Sequence, residues 1–184
     1  MSRGNPKALA LGPGYLRLGV LSATEPVDLT TAWDTDDWTD PFYTDEGSEF
    51  SYNTSFEPVT VAEELDQMDH VPTGREMMVS FAMAEITATN LKTAMNGGTI
   101  TSGTGIETFE APELGEETYR AVGFESEDGL ERWVWRQAKQ TGQIQMARRK
   151  GAQKTLIACQ FQIFKPAAGG TPFKAIMSTD RNPA

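Results

Sequence analysis

The side chains with reactive or ligating chemistry are few and scattered. His70 is the single histidine of the 184 residues and follows Asp69 in a polar stretch, with no cysteine or second histidine at metal-ligand spacing. Cys159 is the single cysteine, so an internal disulfide is excluded, and it lies in the alternating run 155–164 where a small buried thiol fits. A serine, threonine or cysteine nucleophile would need a base, and no nucleophile motif points to His70 or to a carboxylate. The segment 34–49 comes nearest to a cation loop, because Asp34, Asp36 and Asp40 alternate like calcium ligands. It departs where the geometry is strict: Trp38 holds the fifth place, Thr39 the place of the turn glycine, and Asp45 rather than glutamate the twelfth. Gly97-Gly98 and the 103–105 glycines lack the lysine and the strand-to-helix setting of a phosphate loop. The sequence therefore predicts no catalytic residue, no metal and no cofactor.

Charge is the strongest signal in the chain. Of 26 acidic side chains, 25 lie at or before Glu131 with six basic ones, a net of −19; residues 132–184 carry ten basic side chains against Asp180, a net of +9. Such a partition predicts a polar subunit able to associate head to tail. The overall net of −10 disfavours a surface that tracks phosphates. Candidate contacts between copies are the acidic Asp34, Asp36, Asp37, Asp40, Glu63, Glu64 and Asp66, facing the basic Arg148, Arg149, Lys150 and Lys154. The apolar run 8–11 is too short for a signal peptide or a membrane span, so a soluble protein made in a cytoplasm is expected.

Strands must position these residues. Alternation over 50–57 and 75–87 predicts a hairpin with a long tip, in which Met77, Val79, Phe81 and Met83 share one face. A short helix follows at 87–98, with Thr89 as its cap and Gly97-Gly98 as its stop, and then a loop over 99–115. Further strands are read at 118–124, 131–139 and 154–164 and in the N-terminal 14–21. Trp133 and Trp135 share a face with Gln137. The expected fold is mainly β: one domain spanning 1–184, an antiparallel β-sandwich or partial barrel with one short flanking helix. An extended N-terminal arm over 1–14 and a flexible C-terminal arm over 166–184 complete it.

One sheet face is unusual. Ser51, Asn53 and Ser55, then Ser80, Ala82 and Ala84, then Gln160 and Gln162 are small or neutral where a solvated face normally carries lysine and glutamate. Such a face either packs against a neighbouring subunit or lines a passage along which something long slides.

Taken together, the hairpin, the helix closed by Asn96-Gly97-Gly98, and segment 123–165 with Glu127-Asp128-Gly129, Trp133 to Arg136 and the Arg149-Lys150-Gly151 turn resemble the major tail tube proteins of long, non-contractile tailed bacteriophages, especially those of actinobacterial hosts. The likeness spans roughly residues 50–166. It implies a tail tube sandwich that forms six-fold rings stacked around a tape-measure protein, closed by tail terminator and tail-tip proteins. It implies a place in the virion after assembly in the host cytoplasm, DNA that passes without specific binding, and neither catalysis nor a membrane. The neutral face would then be the lumen wall, and the charged loops the ring-stacking contacts. Related tubes occur in contractile tails and type VI secretion. Two other readings stay open at this point: a carbohydrate- or receptor-binding sandwich with Trp33, Trp38, Phe42 and Tyr43 exposed, and another phage component such as a head decoration or tail terminator protein.

Overall fold

The computed structural model describes residues 12–39, 42–60, 66–148, 150 and 153–181. Its strands, all antiparallel, are β1 (Tyr15–Gly19), β2 (Thr44–Val59), β3 (Asp69–Met83), β4 (Thr99–Gly103), β5 (Ile106–Glu110), β6 (Arg120–Glu125), β7 (Glu131–Gln140), β8 (Ile157–Ile163) and β9 (Phe173–Met177); the helix α1 covers Ala88–Ala94. The main sheet runs β1-β6-β7-β8-β3-β2, with β9 also on β7. β7 is the fold's pivot: residues 131–135 pair with β9, whereas 138–140 pair with β8, on the same edge. The sheet therefore folds over along β7 into two leaves, β1-β6-β7-β9 and β7-β8-β3-β2.

The alternation that predicts the hairpin also builds the core. In β3, Met77, Val79, Phe81 and Met83 are buried while Met78, Ser80 and Ala82 are partly exposed; in β8, Ile157, Cys159, Phe161 and Ile163 are buried between Ala158 and Gln160. Against them pack Leu16, Leu18, Val122 and Trp135 from the facing leaf. Phe81 and Phe161 stack with centroids 5.7 Å apart. Each large apolar side chain buried in this way stabilises the fold by roughly 1.5–3 kcal/mol. A bulge re-aims β7: Arg120 faces Ala138 but Val122 faces Trp135, so β7 carries one extra residue. Gln137 consequently does not share the face of Trp133 and Trp135, as period-two reading predicts; with Arg136 and Val134 it lines a cleft on the opposite side of the leaf.

Three boundaries differ from the sequence reading. The helix is capped not by Thr89 but by Thr87, two residues earlier, whose side chain accepts from the Asn90 N–H at 3.1 Å. Its end is held by Asn96 (φ 57°), which donates from its side-chain amide to the Gln140 carbonyl at 2.7 Å and accepts from the Gln140 N–H at 2.8 Å. The expected loop over 99–115 contains the β4–β5 hairpin, where Gly98 (φ 99°) approaches so closely that a Cβ would stand 2.3 Å from the Glu110 carbonyl oxygen. The stretch read as a flexible C-terminal arm supplies β9 over Phe173–Met177, because Phe173 finds an aromatic seat against Phe50 and Trp133. Residues 1–11 of the expected N-terminal arm lie outside the described residues.

Candidate assembly surfaces

The register brings most of the neutral residues together. On the outer side of the second leaf, Ser51 stands opposite Met78 and Met78 opposite Gln162; Ser80 stands opposite Gln160 and Ala82 opposite Ala158. A shallow groove of about 440 Å³ runs over Ser80, Ala82, Ala158 and Gln160, bounded by Asp45, Glu46 and Glu49. Asn53 and Ser55 keep the same side but pair with Glu76 and Gly74, on the part of the β2–β3 ribbon that extends past the paired length of β8. Ala84 follows the end of β3, its N–H donating to the Tyr43 carbonyl at 2.9 Å. Reading single strands misses Glu49, Glu76, Ala158 and Lys139 on this face, since only the cross-strand register puts them there. The one basic group among them, Lys139, is engaged by Glu117 at 3.4 Å and lies over the Tyr119 ring. The face is thus small, neutral and acidic at its margin.

Opposite lies the outer side of the first leaf, which segment 20–39 covers. Trp33 and Trp38, expected exposed in a sugar-binding reading, are 7% and 3% exposed. They meet edge to face at 4.8 Å over Ala121 and Val134. Each indole N–H is satisfied, Trp33 by Glu125 and Trp38 by the Thr24 carbonyl, both at 2.8 Å. Phe42 packs on Phe81, leaving Tyr43 as the one strongly exposed ring of the four. Stacking on a glycan by Trp33 and Trp38 is therefore closed off. The acidic residues serve this cover locally: Asp34 accepts from the Asp36 N–H, and Asp37 from the Thr24 N–H. The Thr24 hydroxyl first, and then its backbone N–H, hold the Asp37 carboxyl below its usual range. Asp40 lies outside the described residues. His70 sits on exposed β3 near the ribbon tip, its backbone N–H donating to Asp69.

The two charge classes meet inside one chain more than the linear partition suggests. Arg132 pairs with Glu125, Arg136 with Glu25, Lys139 with Glu117 and Lys154 with Asp45, so each of these ion pairs joins the basic C-terminal part to the acidic part. Arg132 is the anchor of the set. It is 5% exposed, donates to the Asp28 and Thr31 carbonyls, and lies 5.6 Å over the Trp33 ring. Arg148 and Lys150 stay exposed in the β7–β8 connection, while Glu63, Glu64 and Arg149 lie outside the described residues.

Topology separates the two acidic candidates. The β7–β8 connection leads into Ile157, which pairs with Met83, and Met83 pairs with Thr44. That end also holds Asp45 and, beside Gly19, the Asp34–Asp37 turn. The ribbon tip, with Asp66 and Asp69, lies at the other end of β3, the end that also carries the β6–β7 turn. Basic turn and acidic tip are therefore at opposite ends of the subunit.

Sheet faces, free strand edges and charged ends dominate this molecule, which is the anatomy of a structural building block. The sequence profile of the phage tail tube protein family matches residues 2–162, and the chain belongs to that family. It is a structural tail component of the virion, not an enzyme. Comparison with curated proteins gave no match. Among solved structures it is similar to a chain of the sheath–tube complex of an extracellular contractile injection system in the extended state, with 8% identity and a TM-score of 0.44 over 96% of this chain and 99% of that one. No helix among the described residues is long and apolar enough to cross a membrane.

Proposed function

We propose that six copies of this chain close into a ring and that the rings stack into the tube of a long, non-contractile tail. The tube encloses a tape-measure protein during assembly, is finished by tail terminator and tail-tip proteins, and later conducts DNA during ejection. In a chain of this family, the observation that carries the reading is the four-stranded leaf β7-β8-β3-β2, whose outer face is small and neutral and whose β2 edge pairs with no further strand among the described residues. Covering that β2 edge with a neighbouring copy leaves no open edge there for uncontrolled pairing, and leaves set side by side around a ring form a continuous inner wall. Ser51, Ser80, Ala82, Gln160 and Gln162, with Asn53, Ser55 and Ala84 toward the ends, are then the lumen wall. With Glu49 and Glu76 on it and Lys139 held by Glu117, that wall repels phosphates rather than gripping them.

Ring stacking follows from the opposed ends. The tip carrying Asp66 and Asp69 meets Arg148 and Lys150 of the next ring; Glu63, Glu64 and Arg149, outside the described residues, add the same signs of charge to the two sequences. Asp34, Asp36 and Asp37 are poor partners for that contact because their turn shares an end with the basic connection, and Lys154 is already occupied by Asp45 at 2.6 Å. Stacking of this kind is open-ended by symmetry, so tube length is set from outside the chain.

Electron microscopy of the purified chain at high concentration tests the reading, with tubes or six-fold rings expected. The triple reversal Arg148→Glu, Arg149→Glu and Lys150→Glu should leave folded subunits that no longer elongate. Normal tubes from that variant would sink the stacking contact.

A further inference from the structure

Asn96-Gly97 is the single Asn-Gly pair in the chain. The backbone nitrogen of a glycine attacks a preceding asparagine side chain more readily than that of any other residue, because glycine has no Cβ to hinder the approach or restrict the backbone. In that attack a bond forms from the Gly97 nitrogen to the Asn96 Cγ, and the bond from Cγ to the side-chain nitrogen breaks. The Gly97 N–H proton leaves with that nitrogen as ammonia, and a cyclic imide remains. Water then opens the imide at either carbonyl, giving aspartate or isoaspartate. Water is the only co-reactant, and nothing is oxidised or reduced.

The fold engages every group this reaction needs. Gly97 donates its N–H to the Lys92 carbonyl at 2.9 Å and Asn96 donates its own to Thr93 at 3.2 Å, the pair of bonds that closes the end of α1. Asn96 is 6% exposed, and its side chain donates to the Gln140 carbonyl and accepts from the Gln140 N–H. Its carbonyl accepts from both the N–H and the hydroxyl of Thr118, at 2.8 and 2.9 Å. The Gly97 nitrogen therefore cannot turn toward Cγ unless the end of α1 parts from β7 and from the approach to β6. Conversion would strike this joint where it tolerates least. An aspartate carboxylate would set an acceptor against the Gln140 carbonyl in place of the donor now there. Isoaspartate would add a methylene to the main chain at the residue whose φ of 57° ends the helix.

We propose that Asn96-Gly97 is a deamidation site gated by folding: open to reaction in the unfolded chain, closed in the folded subunit, and unable to rebuild the joint between α1 and β7 once converted.

The test incubates full-length protein at mildly alkaline pH, folded in buffer and unfolded in guanidinium chloride, and follows the peptide containing Asn96 by mass spectrometry for exchange of amide for acid. A domain of ordinary stability is unfolded in only about one molecule per thousand or fewer, so conversion in the folded sample should be at least about a hundredfold slower. Asn53, exposed but followed by Thr54, should keep its amide in both samples over the same time. Asp128-Gly129 can close the same ring by losing water, but reopening it returns the original mass, so it does not confuse the readout. A ratio between the two samples below about tenfold, or Asn53 converting as fast as Asn96, would overturn the gating. The variant Asn96→Asp supplies one product directly, and its Tm should fall by about 5–10 °C. A parental Tm in that variant would overturn the claim that conversion disables the joint.

Discussion

Gly123→Ala is a single methyl group placed where the structure has no room for one. Gly123 lies in β6 opposite Val134, beneath the edge-to-face pair Trp33 and Trp38. A Cβ there would stand 2.7 Å from two atoms of the Trp33 ring and 2.9 Å from Trp38. Carbon atoms pack best at about 3.5–4.0 Å, so both rings must retreat by roughly 1 Å. Neither is free to do so, because the Trp33 and Trp38 N–H groups are held by Glu125 and by the Thr24 carbonyl. Overpacking of this kind costs about 1–3 kcal/mol, from which the loss of glycine's unfolded-state freedom returns about 0.4–1 kcal/mol. The net expectation is about 1–2 kcal/mol. For a domain of this size, where each kcal/mol moves Tm by about 2–4 °C, Tm should fall by about 2–8 °C. Urea and thermal unfolding of the monomeric subunit measure it, and a double-mutant cycle with Trp33→Leu identifies the cause. The penalty should shrink once the larger ring is gone. A variant as stable as the parent, or an equal penalty in the Trp33→Leu background, would refute the packing argument.

Arg132→Met should cost about 3–5 kcal/mol in the same unfolding assay, since it strands Glu125 and two carbonyls in a buried site; Arg148→Met, on an exposed side chain, should stay within about 0.5 kcal/mol. Acid should loosen the cover over the first leaf. Thr31, through its N–H and then its hydroxyl, followed by Thr30 in the same way, holds the Asp28 carboxyl well below the usual Asp value of 3.8. The stability this contributes is complete above that value and is lost as pH falls below it toward the folded-state pKa. Asp28→Asn should therefore flatten the stability profile below about pH 4, and an unchanged profile would remove Asp28 as its cause.

The leaf β8-β3-β2 is legible because its residues obey a simple rule. One face must be apolar and the other need not be, so Met77, Val79, Phe81 and Met83 announce the core and Ser80 with Gln160 the opposite face. Trp33 and Trp38 are not legible. They sit among aspartates without periodicity, and what buries them is Gly123, ninety residues away, which leaves a bare patch of strand for their rings. Gln137 changes face because of one extra residue in β7, which no alternation count detects. The same holds for charge: Lys154 reads as one of a basic cluster, but Asp45 meets it across 109 residues of chain. Local pattern reports a side chain's environment when the environment is the strand itself, and fails when it is supplied by distant sequence.

The ion pairs that cross the chain also bear on its synthesis. A ribosome releases the −19 portion first, and at that stage Glu25, Asp45, Glu117 and Glu125 have no Arg136, Lys154, Lys139 or Arg132 to meet. β3 then lacks β8, and β6 lacks β7, so both present open edges of the kind that recruit other chains. A net charge of −19 on that portion opposes its association with another copy of itself. Only the last 53 residues bring both the missing strands and the neutralising bases. The order of charges along the polypeptide thus puts the neutralising bases on the same last segment as the strands that complete the sheet.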